Sequence, residues 1–168
     1  MGMDVYGQAP KSDLGEYFRA NVWFWRPLWN YVCQVAPDVI DQTIAQAGHY
    51  NDGAGLDEHQ ALALAQRLED ELGAGKVKLA VKAFNDELDS LSESTCGCCG
   101  GTGHRTDDIG QSMGFDKKFN TYTMKPGWCN ACDGKGTRPP LEASYGFDEL
   151  TVRQFTLFLR DSGGFQIF

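Results

Sequence analysis

Two short cysteine turns with the same spacing constrain this chain more than any other feature. The first runs from Cys96 to Gly103 and the second from Cys129 to Gly136, and both read C-x-x-C-x-G-x-G. A C-x-x-C turn places two thiolates on one side of a tight loop, at the separation that two ligands of a tetrahedral zinc ion require. The glycines allow positive φ angles, so backbone N–H groups can bend towards the sulfurs. The sequence therefore predicts one structural Zn²⁺ bound by four residues, Cys96, Cys99, Cys129 and Cys132.

Two redox disulfides, and hence a thiol–disulfide oxidoreductase, are the alternative use of the same cysteines. A thioredoxin-type motif lies at a helix N-terminus in an α/β pattern, and neither turn opens a plausible helix. Cys98 can replace Cys99 as a ligand, but its C-x-C chelate is more strained, so we interpret it as a spare thiol. His104 is interpreted as a donor to a zinc-bound sulfur or as a solvated side chain. Cys33 is interpreted as a small buried hydrophobe.

The two octets resemble the repeats of the cysteine-rich domain of DnaJ chaperones, which has four such repeats and two zinc ions. The resemblance covers residues 96–140 and implies a zinc-knuckle hairpin with the same four cysteine ligands. The chain has no J-domain His-Pro-Asp tripeptide, so coupling to a heat-shock ATPase is not implied. Outside this segment, residues 15–19, 23–29 and 158–165 look like small uncharacterised proteins of phages and bacterial genomes.

Composition and patterning predict a mainly α fold of the α+β class. Hydrophobic residues make up 42% of the 168 residues, enough to bury a core. No apolar run approaches the ~20 residues that cross a bilayer, and residues 1–10 lack the features of a secretory signal. We therefore expect a cytoplasmic protein without a membrane partner.

Three segments follow from the changes in composition. Residues 1–95 form a helical domain with an aromatic N-terminal segment, residues 96–140 a zinc-knuckle insert, and residues 141–168 a helix and short strand that complete the helical domain. Asp38, the pair Asp57 and Gln60, and the pair Thr151 and Gln154 are the predicted helix caps. The predicted elements are an extended lead-in at 1–15, helices at 27–36, 38–47, 57–72, 76–91 and 151–161, a hairpin within 115–124 and a strand at 165–168.

Other candidate sites have a simpler interpretation beside the functional one. An aromatic cluster is either the core, which we favour, or a stacking platform or partner groove; it contains Trp23, Phe24, Trp25, Trp29 and Tyr31. Arg19 and Arg26 flank it and stack on the rings or pair with acids, with phosphate binding as the less favoured role. Residues 49–52 and His59 have no defined mutual spacing, so we do not interpret them as catalytic. Residues 69–71 are interpreted as a solvated acidic helix face.

Charge ranks the functional hypotheses. The net charge is −8, and an acidic body is repelled by nucleic-acid phosphates. The favoured hypothesis is a non-enzymatic, zinc-stabilised protein-binding protein, a phage-type accessory factor that modulates or inhibits a host protein machine such as a defence system. A nucleic-acid-binding zinc-finger protein comes second, and an oxidoreductase or chaperone-like protein third. The sequence leaves the partner and the oligomeric state open. The second hypothesis relies on a basic segment, with solubilising lysines as its simpler interpretation: Lys117, Lys118, Lys125, Lys135 and Arg138.

Overall fold

A computed structural model describes residues 2–168, so Met1, the first residue of the predicted lead-in, lies outside the described part. The chain divides into two compact units. The first contains the residues up to Glu87 together with Tyr145–Phe168, and the second is Leu88–Ser144. With 46% helix and 14% strand, the structure confirms the predicted α+β class.

The elements follow one another along both units. In chain order they are β1 (Gly2–Gly7), α1 (Asp13–Glu16), β2 (Tyr17–Asn21), α2 (Val22–Val35), α3 (Gln42–Ala47), β3 (Gly55–Leu56), α4 (Glu58–Gly73), α5 (Lys76–Asp89), β4 (Ser94–Thr95), α6 (Asp108–Ser112), β5 (Phe119–Asn120), β6 (Lys125–Pro126), β7 (Thr137–Arg138), a 3₁₀ turn (Leu141–Ser144), α7 (Glu149–Asp161) and β8 (Phe165–Ile167).

A four-stranded antiparallel sheet organises the first unit, in the order β2-β1-β8-β3. The predicted extended lead-in at 1–15 therefore contains a sheet strand that the sequence did not predict, because β1 pairs on both sides. Met3 and Val5 face the core, while Gly2 and Asp4 do not. This period-2 alternation is the signature of a strand. It is short here, and the segment contains glycine and aspartate, which are uncommon in strands, so the sequence alone does not identify it. The predicted C-terminal strand is confirmed as β8, which pairs with β1.

Helix α2 begins five residues earlier than predicted. The side chain of Asn21 accepts hydrogen bonds from the backbone N–H groups of Trp23 and Phe24, at 3.0 and 3.1 Å, and so caps the helix. Pro27 consequently lies inside the helix, where it cannot donate to the carbonyl of Trp23 four residues earlier. The N–H of Gly146 donates to that carbonyl instead, at 3.1 Å.

The aromatic cluster splits between core and surface. Trp25 and Trp29 are fully buried and their rings stack with centroids 5.4 Å apart, which confirms the core interpretation for them. Each indole N–H donates to a backbone carbonyl, that of Gly48 for Trp25 and that of Ala45 for Trp29. Tyr31 is also buried, whereas Trp23 and Phe24 are half-buried.

The other helix caps divide into one confirmed and two corrected. Asp57 and Gln60 form the predicted capping box of α4. Asp41, not Asp38, caps α3, and Asp148, not Thr151, caps α7 by accepting from the Thr151 N–H at 2.7 Å. Among residues 2–168, no helix combines the length and the apolar character needed to cross a membrane.

The second unit has little regular structure and no aliphatic core. Two short antiparallel pairs, β4 with β7 and β5 with β6, frame it. The hairpin predicted within 115–124 is present, with its strands displaced to Phe119–Asn120 and Lys125–Pro126. Within Leu88–Ser144, the buried hydrophobic cluster consists of cysteines, Cys96, Cys129 and Cys132, with Cys99 and Ala131 packed against them.

Candidate metal centre

The two cysteine turns bring four sulfur atoms together. The Sγ atoms of Cys96, Cys99, Cys129 and Cys132 all lie within 4.8 Å of one another. A tetrahedron with Zn–S bonds of about 2.3 Å has sulfur–sulfur edges of about 3.8 Å. The Sγ atoms of Cys99 and Cys132 are 3.8 Å apart, across the two turns. The four residues therefore fit one tetrahedral ion, and among residues 2–168 all six cysteines are free of disulfides.

Reciprocal backbone hydrogen bonds join the two turns. The N–H of Cys129 donates to the carbonyl of Gly103 at 2.8 Å, and the N–H of Cys96 donates to that of Gly136 at 2.9 Å. The first residue of each octet is thus bonded to the last residue of the other. This exchange gives the pair an approximate two-fold relationship and fixes the register in which the sulfurs meet.

The glycines of the octets adopt the same conformations at matching positions. Gly101 and Gly134 have φ of 88° and 77°, and Gly103 and Gly136 have φ of 73° and 87°. A Cβ on Gly103 would lie 2.3 Å from the carbonyl oxygen of Gly134, and one on Gly136 equally close to that of Gly101. Both the positive φ and the close approach of the backbones exclude a side chain at Gly103 and Gly136.

Backbone N–H groups also point at the sulfurs, as the sequence predicts. Gly103 donates to Cys99 Sγ at 3.3 Å and Gly136 to Cys132 Sγ at 3.2 Å. Burial raises the pKa of the Cys99 thiol, but hydrogen bonds from the backbone N–H groups of Gly103 and Gly101 lower it further, to about 7. Burial raises the pKa of Cys129 to about 12, and burial also raises the pKa of Cys132. Buried thiols of this kind ionise when a cation binds and displaces their protons.

Asn120 connects the turns to the hairpin, and sequence reasoning missed it. Its side chain is fully buried, and its Nδ2 donates to the carbonyls of Gly103 and Gly134, at 3.0 Å each. Its Oδ1 accepts from the N–H groups of Tyr122 and Thr123 at the hairpin turn. The side-chain amide of Asn120 thus donates two hydrogen bonds and accepts two, which is its full capacity. Asn120 therefore stabilises both octets at once. Asparagine before a polar turn is a common pattern, and only the fold distinguishes this one.

The remaining cysteines and His104 lie outside the sulfur cluster. Cys98 is exposed and is not part of the four-sulfur group. Cys33 is half-buried against the core of the first unit, and burial raises the pKa of its thiol to about 11. His104 is likewise not in the group; a Cβ at Gly127 would lie 2.3 Å from its Nδ1, so the ring packs against that glycine.

Candidate sites elsewhere have mostly structural partners. Arg160 forms an ion pair with Glu69, Lys76 with Glu71, and Gln66 donates to Asp70, so the acidic run 69–71 is largely paired. In the second unit, the ammonium of Lys118 lies 3.2 Å from the centroid of the Trp128 ring, a cation–π contact. Arg19 pairs with Asp4, at 3.4 Å.

Comparison of the chain with protein-family models, curated proteins and solved structures finds no match. The physical case for the site therefore depends on its own geometry: four sulfurs from two turns whose backbones are hydrogen-bonded to each other.

Proposed function

We propose that the four cysteines hold one structural Zn²⁺ and that the chain is a non-enzymatic protein-binding protein. The observation that carries this proposal is a four-sulfur site, with three of its cysteines buried and Cys99 half-buried, in a unit whose surface exposes large apolar side chains. A site with four protein sulfurs leaves no coordination position for a substrate, which favours a structural role over catalysis.

The donors and their spacing support zinc as the proposed ion. Tetrahedral sets of four thiolates are used for zinc or for iron. Sulfur atoms that all lie within 4.8 Å of one another suit a single ion, because a multi-iron cluster spreads its ligands over a larger volume. The unit buries cysteines instead of aliphatic residues. Structural zinc provides ~10–16 kcal/mol of apparent binding free energy in small peptides, which compensates for the missing core.

Exposed apolar residues support a protein partner. Phe119, Tyr122 and Met124 on the β5–β6 hairpin are 55%, 58% and 70% exposed. Ile109 and Met113, four residues apart on or just after α6, are 56% and 63% exposed. Exposed aromatic and methionine side chains are enriched where proteins bind other proteins. The hairpin would then be held rigid by Asn120 and the metal while presenting these side chains.

The class of the protein partner is proposed from the sequence resemblance. On the resemblance to small phage and bacterial proteins alone, we propose a phage-type accessory factor that modulates or inhibits a host protein machine, such as a defence system. A cytoplasmic location belongs to the same proposal.

A pull-down from bacterial lysate tests the partner. The bait is the tagged full chain, compared with a triple variant of the hairpin, Phe119→Ser, Tyr122→Ser and Met124→Ser. The matched control replaces three equally exposed leucines of the first unit, Leu14→Ser, Leu79→Ser and Leu150→Ser. We expect a stoichiometric protein that the hairpin variant loses and the control retains. Recovery of no such protein, or equal recovery by all three baits, contradicts the proposal.

Nucleic-acid binding is the second candidate. Lys117, Lys125 and Arg138 form no ion pair with a described residue, which leaves positive charge exposed on the second unit. Residues 96–140 contain six basic and four acidic residues. Four thiolates and one divalent ion together add two negative charges, which cancels that excess and places this candidate second. A gel shift with DNA or RNA at ~50 mM salt, where phosphate contacts are strong, favours it if Lys117→Gln and Lys125→Gln abolish the shift.

A further inference from the structure

A cavity of about 470 Å³ opens on the first unit. Its volume lies within the ~300–1,000 Å³ typical of small-molecule sites. Charged, imidazole and aromatic side chains share the wall. The lining residues are Arg26, Pro27, Asn30, His49, Tyr50, Phe84 and Tyr145.

Arg26 is the unusual member of this wall. Every other arginine of the first unit forms an ion pair with a carboxylate, the pairs being Arg19 with Asp4, Arg67 with Asp38, Arg153 with Glu149 and Arg160 with Glu69. Among residues 2–168, no ion pair includes Arg26, although the chain carries a net charge of −8. A guanidinium without a carboxylate, beside a cavity, is a group available to an external oxyanion.

Contacts with neighbouring residues hold Tyr145 in place beside Arg26. Nη1 of Arg26 donates to the hydroxyl of Tyr145 at 3.2 Å. The ring of Trp23 meets that of Tyr145 edge-on, with centroids 5.3 Å apart. Next along the chain, the N–H of Gly146 donates to the carbonyl that Pro27 leaves unpaired on Trp23. Tyr145 and Arg26 are therefore oriented before any ligand arrives, which lowers the entropic cost of binding.

The buried rings of Trp25 and Trp29 position the backbone that leads to two other cavity residues, His49 and Tyr50. The indole N–H of Trp25 donates to the carbonyl of Gly48 at 2.8 Å, and a Cβ on Gly48 would lie 2.2 Å from the Trp29 ring. This contact fixes the backbone immediately before His49 and Tyr50. Burial, and then the charge of Arg26, lower the pKa of His49, which favours the neutral imidazole. One nitrogen of a neutral imidazole donates a hydrogen bond and the other accepts one.

We propose that this cavity binds a small molecule that carries an aromatic ring beside an anionic group. Arg26 receives the oxyanion, and the hydroxyl of Tyr145 and the imidazole of His49 provide further hydrogen-bonding groups. The rings of Tyr50 and Phe84 form the apolar wall for the aromatic part. The site is distinct from the proposed zinc centre, because none of its residues belongs to the second unit.

The probe is phenyl phosphate, titrated into the full chain and followed by calorimetry and amide chemical shifts. We expect saturable binding with a Kd of about 1 mM or tighter, as a ligand of this size allows. Inorganic phosphate and benzyl alcohol each carry half of the chemistry, and we expect both to bind at least about tenfold more weakly. Benzoate, titrated in parallel, distinguishes a carboxylate from a phosphate as the preferred anion.

Two variants and one control locate the site. Arg26→Gln should weaken phenyl phosphate binding at least about tenfold, because it removes a charge-assisted hydrogen bond. Tyr50→Ala removes an exposed ring and should also weaken binding, which keeps the test open if Arg26→Gln fails to fold. Arg153→Gln, an arginine outside the cavity, should change the Kd by no more than about twofold. Absence of saturable binding, unchanged binding by folded Arg26→Gln, or an equal loss in Arg153→Gln overturns the proposal.

Discussion

The carbonyl of Gly136 accepts a 2.9 Å hydrogen bond from the amide of Cys96, which joins the end of one cysteine turn to the start of the other. The equivalent bond from Cys129 to Gly103 measures 2.8 Å. This exchange fixes the register in which the four sulfurs meet in the folded unit. Because that unit buries cysteines instead of aliphatic residues, we expect its folding to be coupled to metal binding, as in other structural centres.

The glycines at the ends of the octets should not tolerate a methyl group. Gly103→Ala places a Cβ 2.3 Å from the Gly134 carbonyl oxygen, at a φ of 73°. The left-handed conformation alone costs about 1–2 kcal/mol, and the overlap adds to it, so zinc should bind roughly 30-fold more weakly or worse. A chelator competition measures the affinity. Gly97→Ala is the control, since a Cβ there meets nothing within 4 Å; equal losses in the two variants would contradict the account.

Removing the amide of Asn120 should weaken the metal site without touching a ligand. Asn120→Ala deletes hydrogen bonds to Gly103 and Gly134 and leaves both carbonyls with fewer partners. Loss of such supporting contacts typically costs 10–100-fold in metal affinity, and we expect about that factor. Zinc affinity is again measured by competition, beside Thr121→Ala, an exposed neighbour in the hairpin turn. Unchanged affinity in Asn120→Ala would show that the hairpin does not support the turns.

How much of this centre the sequence predicts depends on whether the signal is local. Cys96, Cys99 and their glycines form a short pattern with a known geometric reason, so their gathering with Cys129 and Cys132 was predictable. Asn120 was not, because its role arises from two backbones that meet far from it in sequence. The identity of the metal as zinc stays a prediction.

The fold shows the same division between local and long-range signals. The capping box of Asp57 and Gln60 is confirmed, because a capping box is a local contact. Strand β1 was missed because its stability comes from pairing with β2 and β8, the latter about 160 residues away. The predicted start of α2 was placed at Pro27, five residues too late. The sequence does not show that the N–H of Gly146 donates to the carbonyl of Trp23, which Pro27 leaves without a helical partner.

The thiols should differ sharply in reactivity. Cys98 is exposed, and the proposed metal would protect the four clustered sulfurs. Burial raises the pKa of Cys33 to about 11, which lowers its thiolate fraction near pH 8 by a factor of at least roughly 100. Brief treatment with iodoacetamide should therefore modify one cysteine, Cys98, as counted by mass spectrometry. After chelation the count should rise to five; five modified cysteines before chelation would exclude a metal-protected cluster.

Loss of one buried ligand should unfold the second unit alone. Cys129→Ser removes a fully buried sulfur, so most of the ~10–16 kcal/mol available from structural zinc is lost. Hydrogen exchange should then lose protection within Leu88–Ser144 and keep it in the strands β1, β2 and β8. Cys98→Ser, which removes an exposed thiol two residues from Cys96, should behave like the unaltered protein. Global unfolding of Cys129→Ser would show that the first unit depends on the metal.

Metal content is the most direct test of the central claim. Native mass spectrometry of the full chain, with cobalt substitution read by visible spectroscopy, should show one divalent ion per chain and the thiolate-to-cobalt bands of a tetrahedral four-sulfur site. A chain that folds without metal, binds an iron–sulfur cluster, or retains its zinc in Cys129→Ser and Cys132→Ser would contradict it.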